Sequence, residues 1–202
     1  MAPRFIARQL SHPKGFLGAL IRFLMNRHNA RMNTFALDQL KLEPTDHVLE
    51  IGFGGGSTLP SLLDATTFVA GLDRSNDVIA FAKRRFSKHV KSGRADFRQG
   101  TVEALPFGAS AFNKVCTVNT VYFWTSLEAG FAEIYRVLKP QGRVAVGFLP
   151  KERMDQMGMP EDIFTTRAPS DVVGAITKAG FMDVLTARPE PHTPWNVVIA
   201  TR

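Results

Sequence analysis

Five residues in the first half of the chain have types and spacing suited to holding a ligand. Glu50, Gly52, Gly54 and Gly56 lie in the run Val48-Leu49-Glu50-Ile51-Gly52-Phe53-Gly54-Gly55-Gly56, and Asp73 follows Glu50 by 23 residues. Alternate glycines let the backbone enter left-handed φ and let a ligand come close to the main chain. A helix that opens just after such a turn aims its free N–H groups at the same spot. A carboxylate at the end of the next strand, as Asp73 would be, can accept hydrogen bonds from both hydroxyls of a ribose. A dinucleotide fingerprint, Gly-x-Gly-x-x-Gly, would need its last glycine at Ser57, whose side chain spoils close packing of helix on strand.

The elements that must position these residues follow from hydrophobic periodicity. From Thr45 the chain alternates strand and helix. Val48–Ile51 reads as the first strand, followed by a helix from about Ser57 to Asp64 in which Pro60 is tolerated only in the first turn. Phe68–Asp73 is the second strand. Ser75 can cap a helix with Val78, Ile79, Ala82 and Phe86 on one face, and Ala95–Gln99 is a weaker third strand. Phe112–Asn119 is the fourth strand, and Thr125-Ser126-Leu127-Glu128 has the form of a capping box before a helix. Arg143–Phe148 is the fifth strand, residues 151–168 read as irregular, and Ser170 can cap a last helix. Phe181–Ala187 and Trp195–Thr201 then form an antiparallel hairpin. The expected fold class is α/β: a doubly wound, mostly parallel, seven-stranded sheet, Rossmann-like, with a C-terminal antiparallel hairpin and an N-terminal helical cap. Ligands in such sheets bind beyond the carboxyl ends of the strands, at the switch in strand order.

Composition narrows the function classes. At 202 residues the chain suits one domain, and its single cysteine, Cys116, excludes a disulfide framework and a thiolate metal site; no metal is expected. The net charge of +7 is concentrated: residues 1–41 hold seven basic residues and one acid, Asp38, and the remainder is nearly neutral. Residues 1–41 therefore read as a basic arm or cap, and residues 42–202 as the main domain. Within the arm, Phe16, Leu17, Leu20, Ile21 and Leu24 recur at helical spacing, as do Met32, Phe35, Ala36 and Leu40. The arm fits packing on the body and roofing of an acceptor pocket, with peripheral contact to an anionic membrane as the alternative. The run Gly15–Met25 is too short to span a bilayer and is interrupted by Arg22. The arm is also Arg-rich and acid-poor, as organelle transit peptides are, but it continues unbroken into helix-like sequence. A cytoplasmic location, with or without contact to a membrane, is the expectation.

From Leu42 to Arg202 the chain resembles the class I S-adenosylmethionine-dependent methyltransferases, and within them the small-molecule branch that includes ubiquinone/menaquinone C-methyltransferases. Five stretches in order carry the resemblance: Val48–Gly56; Gly71-Leu72-Asp73-Arg74-Ser75; Gly100-Thr101-Val102-Glu103-Ala104-Leu105-Pro106-Phe107; Phe112-Asn113-Lys114-Val115; and Glu133 through Gly142. The resemblance implies S-adenosyl-L-methionine as cofactor. Gly52, Gly54 and Gly56 would pass beside its methionyl part and Glu50 would orient its amino group. Asp73, with Arg74 beside it, would hold the ribose. Thr101 and Val102 would lie along the adenine edge, and Asn119 near the methyl group. The family usually has Asp where Thr101 stands, Asp where Asn113 stands and Gly where Gln141 stands.

Methyl transfer from a sulfonium is a displacement in which much of the catalysis is alignment. A base is needed only where the acceptor must lose a proton to become nucleophilic. Asn119 and Tyr122, at the end of the fourth strand, are the candidate catalytic residues; Trp124 belongs to the same segment. Met154, Met157, Met159 and Phe164 suit an adaptable apolar lid. His12 and His28 belong to the arm. The expected acceptor is a small apolar or aromatic molecule, with a quinone or phospholipid headgroup as the alternative and a non-catalytic cofactor binder as a third reading. Nucleic acid is not expected, because the fourth strand lacks an Asp/Asn-Pro-Pro-Tyr/Phe motif.

Overall fold

The computed structural model describes residues 29–202. The helix expected over residues 16–24, His12 and His28 lie outside the described residues. The chain begins with helix α1, described over residues 29–40, then β1 (His47–Ile51), α2 (Leu59–Ala65), β2 (Phe68–Asp73), α3 (Asn76–Arg85), α4 (Ser87–Lys91) and β3 (Ala95–Gln99). There follow β4 (Phe112–Val118), a 3-10 turn (Val121–Phe123), α5 (Leu127–Val137), β5 (Leu138–Phe148), α6 (Lys151–Gln156), α7 (Pro169–Lys178), β6 (Met182–Ala187) and β7 (Asn196–Thr201). The seven strands form one sheet in the order β3-β2-β1-β4-β5-β7-β6. The pairs among β1 to β5 are parallel, and β7 runs antiparallel between β5 and β6. The sheet therefore has the expected doubly wound form, with its switch point between β1 and β4.

Alternate residues of the central strands go to opposite faces. Leu49, Val115, Val144, Val146 and Val198 pack with Phe131, Ile134 and Val137 of α5 and Val172 and Ile176 of α7. On the other face Val48 and Val69 meet α2 and α3 through Leu59, Leu62, Val78 and Ile79. Further along that face Cys116, Ala145, Val197 and Ile199 meet Ala36 and Leu40 of α1. Residues 29–40 thus supply a layer helix of the sheet. Glu50 pairs in register with Gly71 on β2 and Cys116 on β4, so it sits on this same face, between α1 and α2. At Gly71 a Cβ would stand 2.8 Å from the rings of both Phe53 and Phe97. The glycine leaves room for the aromatic pair under the first turn, whose centroids are 5.6 Å apart.

Several local expectations are corrected. The helix expected from Ser57 starts at Leu59, with Thr58 at its N-cap and Pro60 in its first turn. Ser75 stands at the N-cap of α3, but its side chain makes no capping hydrogen bond to the helix. The cap of α5 is Ser126, whose hydroxyl accepts the Ala129 N–H at 3.1 Å, rather than a box led by Thr125. Helix α7 starts before Ser170; the Asp171 carboxylate caps it by accepting the Ala168 N–H at 3.0 Å. The segment read as irregular contains α6, with Met154 buried beneath it. Two departures from the resembling family have structural readings. Gln141 has φ +64, a region where glycine is at ease. The Asn113 side-chain oxygen accepts from the His47 N–H at 3.0 Å and from Lys139 Nζ at 3.1 Å, a role that asks only for an oxygen acceptor.

Candidate functional site

After β1 the chain turns at Gly52, Gly54 and Gly56, with φ of +71, +52 and +64. The Gly52 N–H donates to the Leu72 carbonyl at 2.7 Å, which ties the turn to β2. A side chain at position 52 would collide with the Thr120 methyl. At Gly54 an added Cβ would meet nothing within 4 Å, so the main chain there faces open space. The turn is held by Asp73, 8% exposed at the end of β2. One carboxylate oxygen accepts the Gly54 N–H and the other the Ser75 N–H, both at 3.0 Å. A carboxylate oxygen accepts more than one hydrogen bond, so this arrangement leaves Asp73 capacity for ligand hydroxyls.

Glu50 lies beneath the turn, 7% exposed. The Thr58 hydroxyl donates to Oε1, while Oε2 is buried with no hydrogen-bond partner among the described residues. Burial raises the carboxyl from its ordinary 4.5 to about 7; the Thr58 hydrogen bond acts against this, and the Asp73 charge adds to it. An unpaired buried carboxylate oxygen is costly unless a cation or donor meets it. The primary ammonium of the methionyl end of S-adenosylmethionine has the right charge and donors. The glycine turn, Glu50 and Asp73 therefore fit that cofactor: an open main chain, an orphaned acid for the ammonium and an acid for the ribose.

Across the switch point, Asn119 follows β4 with φ +57, its N–H donating to the Gly147 carbonyl at 2.8 Å. The Tyr122 hydroxyl lies 3.1 Å from Asn119 Oδ1 and 3.3 Å from the Leu149 carbonyl, either of which can accept its proton, and it accepts the Leu149 N–H. Tyr122 is only 4% exposed, and burial pushes its hydroxyl well above the ordinary range. In this arrangement the Tyr122 hydroxyl ties Asn119 to the end of β5. Trp124 is buried on Phe131, with ring centroids 5.1 Å apart. Thr101 is exposed at the rim; Val102 is buried, close against Gly130. Arg74 is exposed and contributes its carbonyl, which accepts from Gln99 Nε2 at 3.2 Å. The structure thus brings Glu50, the three glycines and Asp73 together and sets Asn119 on the adjoining loop.

Sequence reasoning missed four supports. Thr58 holds Glu50; Thr120 abuts Gly52; Glu103 Oε1 accepts the Thr125 N–H at 2.7 Å; and Asn33 of α1 donates from Nδ2 to Ser57 Oγ at 3.3 Å. Only Thr58 had a signal, as an N-cap residue type before a helix. Among the described residues no helix is long and apolar enough to cross a membrane.

A doubly wound sheet with an inserted antiparallel last strand, a glycine turn after β1 over a buried acid, and a second acid after β2 define a class I methyltransferase. A family model described as a methyltransferase domain matches residues 49–146. The methyltransferase YdaC of Bacillus subtilis (strain 168) is 33% identical over 132 residues, which cover 64% of this chain and 71% of YdaC. The chain belongs to the S-adenosylmethionine-dependent methyltransferases. It is also similar to the ubiquinone/menaquinone biosynthesis C-methyltransferase UbiE of Geotalea daltonii, at 25% identity over 134 residues. That match covers 65% of this chain but 56% of the relative's length. The fold is shared with geranyl diphosphate C-methyltransferase from Streptomyces coelicolor A3(2), solved with S-adenosyl-L-homocysteine. Its TM-score is 0.70 at 16% identity, over 87% of this chain and 77% of that one.

Proposed function

We propose that the protein transfers the methyl group of S-adenosylmethionine to a small, apolar or aromatic acceptor by direct displacement. The observation that carries the donor half is the buried, unpaired Oε2 of Glu50 beneath an open glycine turn. When bound, the cofactor supplies a methyl group already activated on a sulfonium sulfur. The protein's part is placement. Glu50 pairs with the ammonium, the amides of the glycine turn lie along the methionyl part, and Asp73 accepts the ribose hydroxyls. Thr101 and Val102 border the adenine, with Arg74 at the outer rim. Asn119, fixed through its amide by Tyr122, presents the remaining polar contact beside the transfer path. Phe123, Leu149, Met159 and Phe164, clustered at the ends of β4 and β5, provide apolar surface that keeps water from the reacting centre.

A lipid acceptor, a quinone or a phospholipid headgroup, is the second reading. The basic arm of residues 1–41 favours it, because an anionic membrane would attract that segment. The similarity to the ubiquinone/menaquinone biosynthesis C-methyltransferase UbiE supports it too.

The test of the donor is thermal. S-adenosylmethionine at a hundred times its Kd stabilises the folded protein by about 2.7 kcal/mol and raises its Tm, whereas NAD leaves Tm unchanged. The reverse result would sink the reading. The acceptor is then sought by incubating the protein with donor carrying a labelled methyl group and with separated aqueous and lipid extracts. Label on a quinone or a phospholipid selects the second reading, and label on another small apolar or aromatic molecule the first.

A further inference from the structure

Strand β6 is the outermost strand of the sheet, and one face of it is apolar and bare. Met182 and Leu185 are 62% and 64% exposed. Cross-strand partners share a face of the sheet. Leu185 pairs with Ile199 and Ala187 with Val197, and both partners belong to the cluster under α1. Met182 pairs with Thr201 beyond a register shift at Asp183, whose φ is +51; Thr201 has the same parity on β7 as Ile199. Met182, Leu185 and Ala187 therefore continue the α1 face outward. Ile199, one strand further in, is only 4% exposed. Helix α1 covers residues of β4, β5 and β7 and reaches Ala187 at the near end of β6, while Met182 and Leu185 lie beyond it.

The geometry points to residues 16–24 of the same chain as the cover. Arg31 bridges Glu190, in the β6–β7 turn, at 3.3 Å, and Phe35 stacks on Trp195 with centroids 5.6 Å apart. The chain thus enters the described structure at the Ala187 end of the bare face. Helices pack about 8–10 Å apart and strands about 4.8 Å apart, so a helix beside α1 would lie about two strands over, on β6. Phe16, Leu17, Leu20, Ile21 and Leu24 form an apolar stripe about 13 Å long as a helix, against about 20 Å for the six residues of β6. Residues 25–28 are enough for the short link of an antiparallel helix pair. Charge agrees: residues 1–28 carry five basic residues and no acid, while Asp183 and Glu190 flank the face. The arm is, on this inference, the outer layer of the fold over β6, with its basic side facing solvent.

The test uses the full-length chain. Leu17→Glu/Leu20→Glu should speed amide hydrogen exchange across residues 182–187 by about tenfold or more, while exchange in β1 and β4 is unchanged, as expected when only a local cover is lifted. Unchanged S-adenosylmethionine affinity shows that the variant is folded. Reciprocally, Leu185→Glu should speed tryptic cleavage after Arg22 and Arg27. Equal exchange in wild type and the double variant overturns the docking. So does protection of residues 182–187 that disappears on dilution, which would make a second copy the cover. Protection that appears only with phosphatidylcholine–phosphatidylglycerol vesicles overturns it as well, in favour of a lipid surface.

Discussion

Replacing Asp73 with alanine weakens S-adenosylmethionine binding by about 1.5–3 kcal/mol, roughly ten- to a hundredfold. Two losses combine. The ribose hydroxyls lose a charged acceptor, and the Gly54 and Ser75 N–H groups lose the oxygens that hold them at 3.0 Å. The glycine turn then keeps its bond to Leu72 and its internal bond from the Gly56 N–H to the Phe53 carbonyl. Asp73→Asn keeps one acceptor oxygen and should fall between wild type and alanine. Titration calorimetry with S-adenosylmethionine measures both variants. Unchanged affinity in Asp73→Ala would remove this residue from the cofactor site.

Cofactor affinity rises with pH up to about 7 and then levels, and Glu50→Gln abolishes that slope. The sign follows from the raised carboxyl. Folded Glu50 keeps its proton to about pH 7, whereas the unfolded chain releases it near 4.5. The folded state binds more protons between those values, so the stability contributed by Glu50 is full below about 4.5 and is lost as pH rises to about 7. The loss is about 3 kcal/mol at most, taking 1.36 kcal/mol per unit. An ammonium needs the ionised form, so its affinity gains up to about tenfold per pH unit below 7. Glu50→Gln therefore acts in opposite directions at pH 7.5. It raises the Tm of the ligand-free protein, because a buried charge is gone, and it weakens cofactor binding. Calorimetry between pH 5.5 and 7.5 checks the slope; a flat wild-type profile would count against Glu50 as the ammonium partner.

The sheet was legible in the sequence because its central strands are buried on both faces. Val48–Ile51, Phe68–Asp73 and Val115–Val118 are mostly apolar runs, a pattern that survives without tertiary information. The glycines of the turn were legible for a related reason, since a left-handed φ leaves few residue choices. What failed was local competition. Thr125 and Ser126 are both good caps, and packing of Leu127 and Phe131 selected Ser126. At α7 the start was set by Pro169 and Asp171, with Ser170 left exposed. Helix α6 has six residues and one buried side chain, too little periodicity to detect. The contact of Tyr122 with the Leu149 backbone was illegible because a tyrosine after a strand looks the same with or without such a bond.

Cys116 gives the protein a built-in clock. It is the single thiol of the chain, 1% exposed at the middle of the sheet between Glu50 on β1 and Ala145 on β5, with Leu40 and Ala36 above. Burial, and then the Glu50 charge, push the thiol well above its ordinary range. A maleimide or disulfide reagent reaches it only when α1 lifts from this face or the sheet itself opens, so the labelling rate reports how often that cover opens. Where that opening also dismantles the pocket over Glu50, bound cofactor slows labelling by the factor 1 + [L]/Kd. Donor affinity can therefore be timed from one native cysteine before any acceptor is known.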